Sequence, residues 1–437
     1  VLRDIGSAIA RRALASTIAL VASSYLAHQL GPGMLGVYVG LLALGQILTA
    51  VFMFGLDTAP VYLLRQSATL QRRIHHRVTL ASIAASGVTV VLGLAIDSQP
   101  TTGLPWLAEV HSWGVSPFVY AAAMILMFSQ ASCLQGLLRL GAANLAHIGF
   151  AAIFLGLALA TDAIQGQLEP EQALHLWAAS AAVCFAIVYA AIRRDISDSA
   201  GPEADARQPA RGSGQGLRYA TNSYVANLLG VLNSRAPALV VAATLGGERM
   251  GSFAAAHMLH DIFSFFAFAV VSVSFPKLSG EPDSLRRVRD LAFACRINTA
   301  MTAAASILFL VLFDPLCTLL LGADFVTPHF HLMCAVVLLS TTVHSTVRIL
   351  CGDFSAQGRP HINVLLNLPT TAVFLISFMA FGRFHGEWGA VASFCLSLAV
   401  FDALAIYTHR RGLPVAAPRY FLPQRADLGE LRGLLRR

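Results

Sequence analysis

Arg235 stands near the middle of an apolar run, residues 221–245. Ser223, Asn227, Gly230 and Ser234 lead up to it at steps of four, three and four. That spacing puts the four on one face of a helix. A guanidinium stays charged and can hold two phosphate oxygens at once. Arg235, with Asn227 and Ser234 beside it, is therefore a candidate for binding a phosphate-bearing ligand. The competing reading is an arginine paired with a buried acid for stability.

Three other runs carry polar groups. Residues 329–350 hold Ser340, His344 and Arg348 at steps of four, with Thr341 and Ser345 adjacent. His344 and Arg348 are candidate ligand contacts, although Arg348 near a segment end can instead snorkel to an interface. Residues 252–274 hold His257, His260 and Asp261. His257 and Asp261 are four apart, and a His–carboxylate pair titrates near neutral pH, which suits proton coupling. The alternative is a neutral histidine satisfied by a hydrogen bond. Asp57 follows the run 36–56 and is a fourth ion-coupling candidate, with Arg65 or another helix as its partner. Asn363, Asn367 and Thr370 share a face of 363–382. They suit sugar hydroxyls, or act as glue between helices.

The elements that must position these groups are membrane helices. Of 437 residues, 56% are hydrophobic and only 12% charged, and the mean hydropathy is +0.66. Typical soluble domains have roughly 45–50% apolar and about 25% charged residues. Apolar runs long enough to cross a bilayer fall near 13–30, 36–56, 78–97, 116–137, 143–161, 173–192, 221–245, 252–274, 291–313, 329–350, 363–382 and 388–408. The chain reads as an all-α membrane protein of about twelve transmembrane helices. A charge at the centre of a bilayer costs roughly 2.5 to more than 10 kcal/mol, so Arg235 needs a partner or a wet cavity.

The basic residues fix orientation. Of the 30 Lys and Arg, only Lys277 is a lysine. With the N-terminus inside, just Arg249 and Arg383 fall in outer loops, while Arg235, Arg296 and Arg348 fall within spans. The rest are cytoplasmic, which places both termini in the cytoplasm.

A polar, Gly-, Pro- and Ser-rich stretch, residues 193–218, reads as a flexible cytoplasmic linker. It divides an N-terminal six-helix lobe, 1–192, from a C-terminal one, 219–412, and a basic tail, 413–437, follows. The halves look alike. Leu30-Gly31-Pro32-Gly33-Met34-Leu35-Gly36-Val37-Tyr38 parallels Leu245-Gly246-Gly247-Glu248-Arg249-Met250-Gly251-Ser252-Phe253. Pro60 parallels Pro276, and Gln135-Gly136 parallels Gln357-Gly358. Six helices per half preserve orientation, as expected for pseudo-symmetric parallel repeats.

No zincin motif, nucleophile elbow, Walker A loop or dinucleotide fingerprint occurs, so no enzyme active site is expected. The seven cysteines form no CxxC pair and no Cys/His cluster, so neither a metal site nor a disulfide framework is expected. No basic, aromatic-interleaved domain offers itself to nucleic acid. No cofactor is expected. Energy would come from Na⁺, H⁺ or the substrate gradient itself.

These motifs resemble the polysaccharide transporter family, the Wzx-type lipid-linked oligosaccharide flippases of the MOP superfamily, which also holds MATE exporters and lipid II flippases. The likeness rests on LGPGMLGVY, then GLDTAPVYLLRQ (55–66), Tyr219 through FPKLS (275–279), Gly322-Ala323-Asp324-Phe325, Gln357-Gly358-Arg359 and Trp388-Gly389-Ala390-Val391-Ala392. It implies a MOP/MATE-like fold of two lobes around a central cavity, with alternating access. It also implies a bacterial inner membrane and an undecaprenyl-pyrophosphate-linked glycan as cargo, for O-antigen, capsule or exopolysaccharide, with the pathway's polymerase and glycosyltransferases as partners. Arg235 would then hold the pyrophosphate. One departure stands out: where the family shows Ser-Arg-hydrophobic-Asp, this chain has Ser234-Arg235-Ala236-Pro237.

Three alternatives are weighed beside the flippase, one of them a non-transporting membrane scaffold, which the intramembrane arginine makes less attractive. A MATE-like exporter of small organic cations would share the fold, but Arg235 and Arg348 would repel such cargo, and few acids are expected inside the spans. A membrane glycosyltransferase or polymerase would need catalytic groups outside, where the 98–115 loop offers only Glu109 and His111.

Overall fold

A computed structural model describes residues 2–57, 60–61, 64, 71–98, 112–137, 139–198, 213–246, 250–279, 284–357, 359, 361–412 and 418–421. Most of the 193–218 linker, the loop with Glu109 and His111, Arg65, Arg249, Gly358 and the tail apart from 418–421 lie outside them.

The described elements are helical. They are α1 (Leu2–Phe52), α2 (Gln71–Asp97), α3 (Ser116–Gly136), α4 (Leu140–Gln165), α5 (Pro170–Asp198), α6 (Ser213–Leu245), α7 (Gly251–Ser279), α8 (Ser284–Val311), α9 (Phe313–Leu320), α10 (Pro328–Ala356), α11 (His361–Ala380), α12 (Gly386–Gly412) and α13 (Pro418–Phe421). Ten helices among the described residues are long and apolar enough to cross a membrane. The first of these holds two spans. Inside α1 the backbone leaves the helix at Gly31 (φ 63°, ψ 179°). Pro32 disfavours helical geometry at the residue before it, and only glycine takes this φ without strain. With that break and with α7, the helices match the apolar runs one for one.

The chain forms two compact units, Val1–Ala254 and Ala255–Arg437. In unit 1, α3 is the central helix, buried along nearly its whole length. It packs against α1, α2 and α5, while α6 lies along α1. Polar side chains bind the helices: His75 donates to Gln130 Oε1 at 2.8 Å, and Ser132 donates to the Leu56 carbonyl at 2.8 Å. In unit 2, α10 is the hub, packed on α8 and α12. Asn298 of α8 donates to Ser345 and Thr346 of α10 at 3.0 and 3.2 Å. Such interhelical bonds and close backbone approaches replace the hydrophobic drive that lipid cannot supply.

The repeat is visible in backbone geometry. Gly31 and Gly246, the paired glycines of the two LG turns, both have positive φ, 63° and 83°. Tyr38 and Phe253, their paired aromatics, are both buried. The Gln-Gly match needs a correction in register. Leu137 N–H donates to Cys133 O and Arg139 N–H to Leu134 O, both at 2.9 Å. Gln357 N–H donates to Asp353 O and Arg359 N–H to Phe354 O, again at 2.9 Å. The two helix ends are therefore the same six-to-one closure, and it pairs Arg139 with Arg359 and Leu137 with Gln357. The Gln-Gly letters are offset from that register by two residues.

Candidate functional site

In unit 1 the site is built where α6 lies on α1. Tyr224 OH donates to the Val51 carbonyl at 2.7 Å, and Asn227 Nδ2 donates to Asp57 Oδ2 at 3.1 Å. Asp57 thus meets another helix, one of its two expected partners, and two site residues that the sequence assigned to different tasks come together. The chain reaches Asp57 through a tight turn in which Leu56 N–H donates to Met53 O at 2.8 Å. Its central residues, Phe54 and Gly55, both have positive φ, 44° and 77°. That is the pattern of a turn that favours Asn-Gly, and a phenylalanine there is strained. Phe54 is nonetheless held out, 65% exposed, with its ring 6.2 Å from that of Tyr224.

Two turns further along α6, Ser234 donates back to the Val231 carbonyl at 3.1 Å. Arg235 is half-buried and interacts electrostatically with Tyr120 of α3. Pro237 is buried inside α6, where it removes a backbone donor from mid-helix. The side chain of Ser223 lies outside the described residues.

Unit 2 holds a second cluster. His257 and His260 share a face of α7, with ring centroids 6.0 Å apart. His260 Nδ1 is 2.9 Å from Thr341 Oγ1 of α10, and its ring is 5.8 Å from that of His344. His344 Nδ1 is 2.9 Å from Asp402 Oδ1 of α12. Phe394 covers His257 and His260 at 5.2 and 5.1 Å. The three histidines and Asp402 are all buried, while Asp261, 4.0 Å from His257 Nδ1, is 37% exposed. A line of titratable groups thus runs from a surface carboxylate to a buried one. Arg348 lies one turn beyond His344 and interacts electrostatically with His260.

Asn363 and Asn367 of α11 bind backbone. Their amides donate to the backbone carbonyls of Cys351 (3.2 Å) and Asn363 (2.8 Å). Few acids are expected inside the spans, and two of those present are buried. Asp353 is 0% and Asp402 5% exposed, each inside a helix. The sequence did carry a signal for Asp402, since an acid within the apolar run 388–408 is costly and rarely idle, whereas Asp353 lies three residues past the run 329–350. Their partners, His344 and His409, lie on other helices.

No family model matches the chain, and no curated protein matches it. Solved structures do. A multidrug resistance MATE family transporter of the MOP superfamily, in an inward-facing conformation, is similar at 14% identity and TM-score 0.64, over 93% of this chain and 97% of that one. A MOP superfamily transporter from Pyrococcus furiosus, for which a reverse polarity of the binding pocket suggests a different function, is similar at 18% identity and TM-score 0.58, over 93% and 95%. The lipid II flippase MurJ in an inward closed conformation is similar at 11% identity and TM-score 0.57, over 90% and 85%. The all-α, multi-pass architecture of this chain is the MATE-type fold of the MOP-superfamily transporters.

Proposed function

We propose that the chain is an ion-coupled secondary transporter that moves its cargo across the membrane by alternating access, in the manner of a MATE-like exporter. The observation that carries this is the buried line His257, His260, His344 and Asp402. Titratable groups inside membrane helices are costly and mark ion pathways. Three of the four are imidazoles, whose ring nitrogens can hand on a proton and which offer no hard oxygen ligands, so H⁺ rather than Na⁺ is the proposed coupling ion.

A second reading concerns the cargo. Arg235 and Arg348 are cations within membrane helices, and they favour an anionic head group over an organic cation. With the motif resemblance, this supports an undecaprenyl-pyrophosphate-linked oligosaccharide moved to the outer leaflet for surface polysaccharide. The Pyrococcus furiosus transporter is a precedent for altered pocket polarity on this fold. The arginine asymmetry supports both termini in the cytoplasm, and the motif resemblance supports a bacterial inner membrane.

The deciding experiment is deletion of the gene, with lipid-linked glycans and surface polymer measured together. Accumulated glycan and lost polymer, rescued by wild type but not by Arg235→Ala, would establish the glycan cargo. Normal glycans with altered sensitivity to dyes would leave the small-molecule exporter standing alone. No change in either would remove both.

A further inference from the structure

At one end of unit 2, four elements converge on Asp353, which is fully buried in α10. Gln357, one turn on, donates to its Oδ2 at 2.6 Å. Arg287 of α8 brings Nε to 3.7 Å from Oδ1, and His409 of α12 brings Nε2 to 3.5 Å from Oδ2. Tyr420 of α13 stands edge-on to His409, with ring centroids 5.4 Å apart.

Two features set this cluster apart from ordinary core. First, Asp353 Oδ1, Arg287 Nε, His409 Nε2 and Tyr420 OH are all buried and make no hydrogen bond among the described residues. Each such atom carries a desolvation cost that water would relieve. Second, α13 is only four residues long, too short to hold a helix without docking. What seats it is apolar. Tyr420 joins the cluster of Leu291, Cys295 and Leu350, and Phe421 packs both there and on the cluster of Phe354 and Phe401.

We propose that α13 is a reversible latch. When docked, Tyr420 and Phe421 close this end of unit 2 and seal Asp353, His409 and the Nε atom of the partly exposed Arg287 from water. When released, the aromatics lose their apolar seat, but the four polar atoms regain hydrogen bonds. Gain and loss offset one another, so the segment opens on its own while α8, α10 and α12 stay folded. The docked state also depends on Arg287, because its guanidinium is the arginine charge facing Oδ1 of the buried Asp353, and sealing the carboxylate without it is costly. None of this rests on the cargo or on the coupling ion.

Hydrogen–deuterium exchange of the full chain in lipid nanodiscs, read by mass spectrometry, tests it. In wild type, the amides of Arg419, Tyr420 and Phe421 exchange at least roughly tenfold faster than those of α10 around Asp353, as independent opening requires. Arg287→Ala speeds 418–421 by roughly tenfold more and leaves α2 to α4 unchanged. Adding Asp353→Asn to that variant restores protection, since no charge is then sealed in. Tyr420→Ala releases 418–421 whether or not Arg287→Ala folds. If 418–421 exchange only together with α8, α10 and α12, in wild type or in Tyr420→Ala, the segment is fixed core and the latch is wrong. Failure of Asp353→Asn to rescue a folded Arg287→Ala would equally overturn it.

Discussion

His344 on α10 and Asp402 on α12 hold each other at 2.9 Å, although 58 residues separate them, and each side chain is only 6% exposed. A pair so buried depends on both members. Asp402→Ala, which leaves His344 facing an apolar gap, is expected to lower stability by about 3 kcal/mol. A thermal melt in detergent checks this. Asp402→Asn keeps the shape and an acceptor but cannot exchange a proton at neutral pH. It should fold like wild type and still move cargo down its own gradient in proteoliposomes, yet no longer respond to an imposed pH gradient. A normal response in Asp402→Asn would remove Asp402 from the coupling line.

Asn227 and Asp57 tie α6 to the end of α1 through one bond at 3.1 Å. A hydrogen bond to a charged group near the surface is worth about 1 kcal/mol. Asn227→Ala and Asp57→Ala should each cost about that much, and the double variant should cost less than their sum. A double-mutant cycle on the melting temperature reads the coupling. Strict additivity would mean that the two side chains do not act on each other.

Gly251 sits against the backbone carbonyl of Pro32, so a methyl group there would strike an atom that no rotamer can move aside. Gly251→Ala should destabilise the fold by about 1–3 kcal/mol. Gly87 has open space on the same test and is helical, so Gly87→Ala should be neutral or slightly stabilising. Equal melting temperatures for the two variants would show that the α1 and α7 turns do not meet as described.

Arg235 separates charge from geometry. Arg235→Lys keeps the charge and loses the planar fork, so it should retain part of the transport of an anionic cargo while Arg235→Ala loses nearly all of it. If Arg235 serves stability alone, both variants should lower the melting temperature and leave transport per folded molecule unchanged.

Much of this architecture can be read from the letters. Hydropathy marks the spans because each must cross a layer of fixed thickness, and Gly31-Pro32 marks the break in α1 because its backbone chemistry allows little else there. His257 and Asp261 are also legible, since a step of four on a helix is a local rule. His344–Asp402 and Arg287–Asp353 are not, because the contact depends on how separate helices rotate about their axes, and no local period encodes that rotation. The Gln-Gly repeat misleads for a related reason: the helix ends share a hydrogen-bond pattern, which is indifferent to whether glutamine or leucine occupies the closing position.

Trp177 of α5 donates its indole N–H to Tyr38 of α1 at 2.9 Å and stacks on Phe154 of α4 with ring centroids 3.7 Å apart. Its excited state therefore samples three helices of unit 1 at once. Any rearrangement that separates α1 from α5 would break the hydrogen bond, change the polarity around the indole, and shift its emission. The protein carries a built-in optical reporter, and Tyr38→Phe supplies its calibration without a dye or a label.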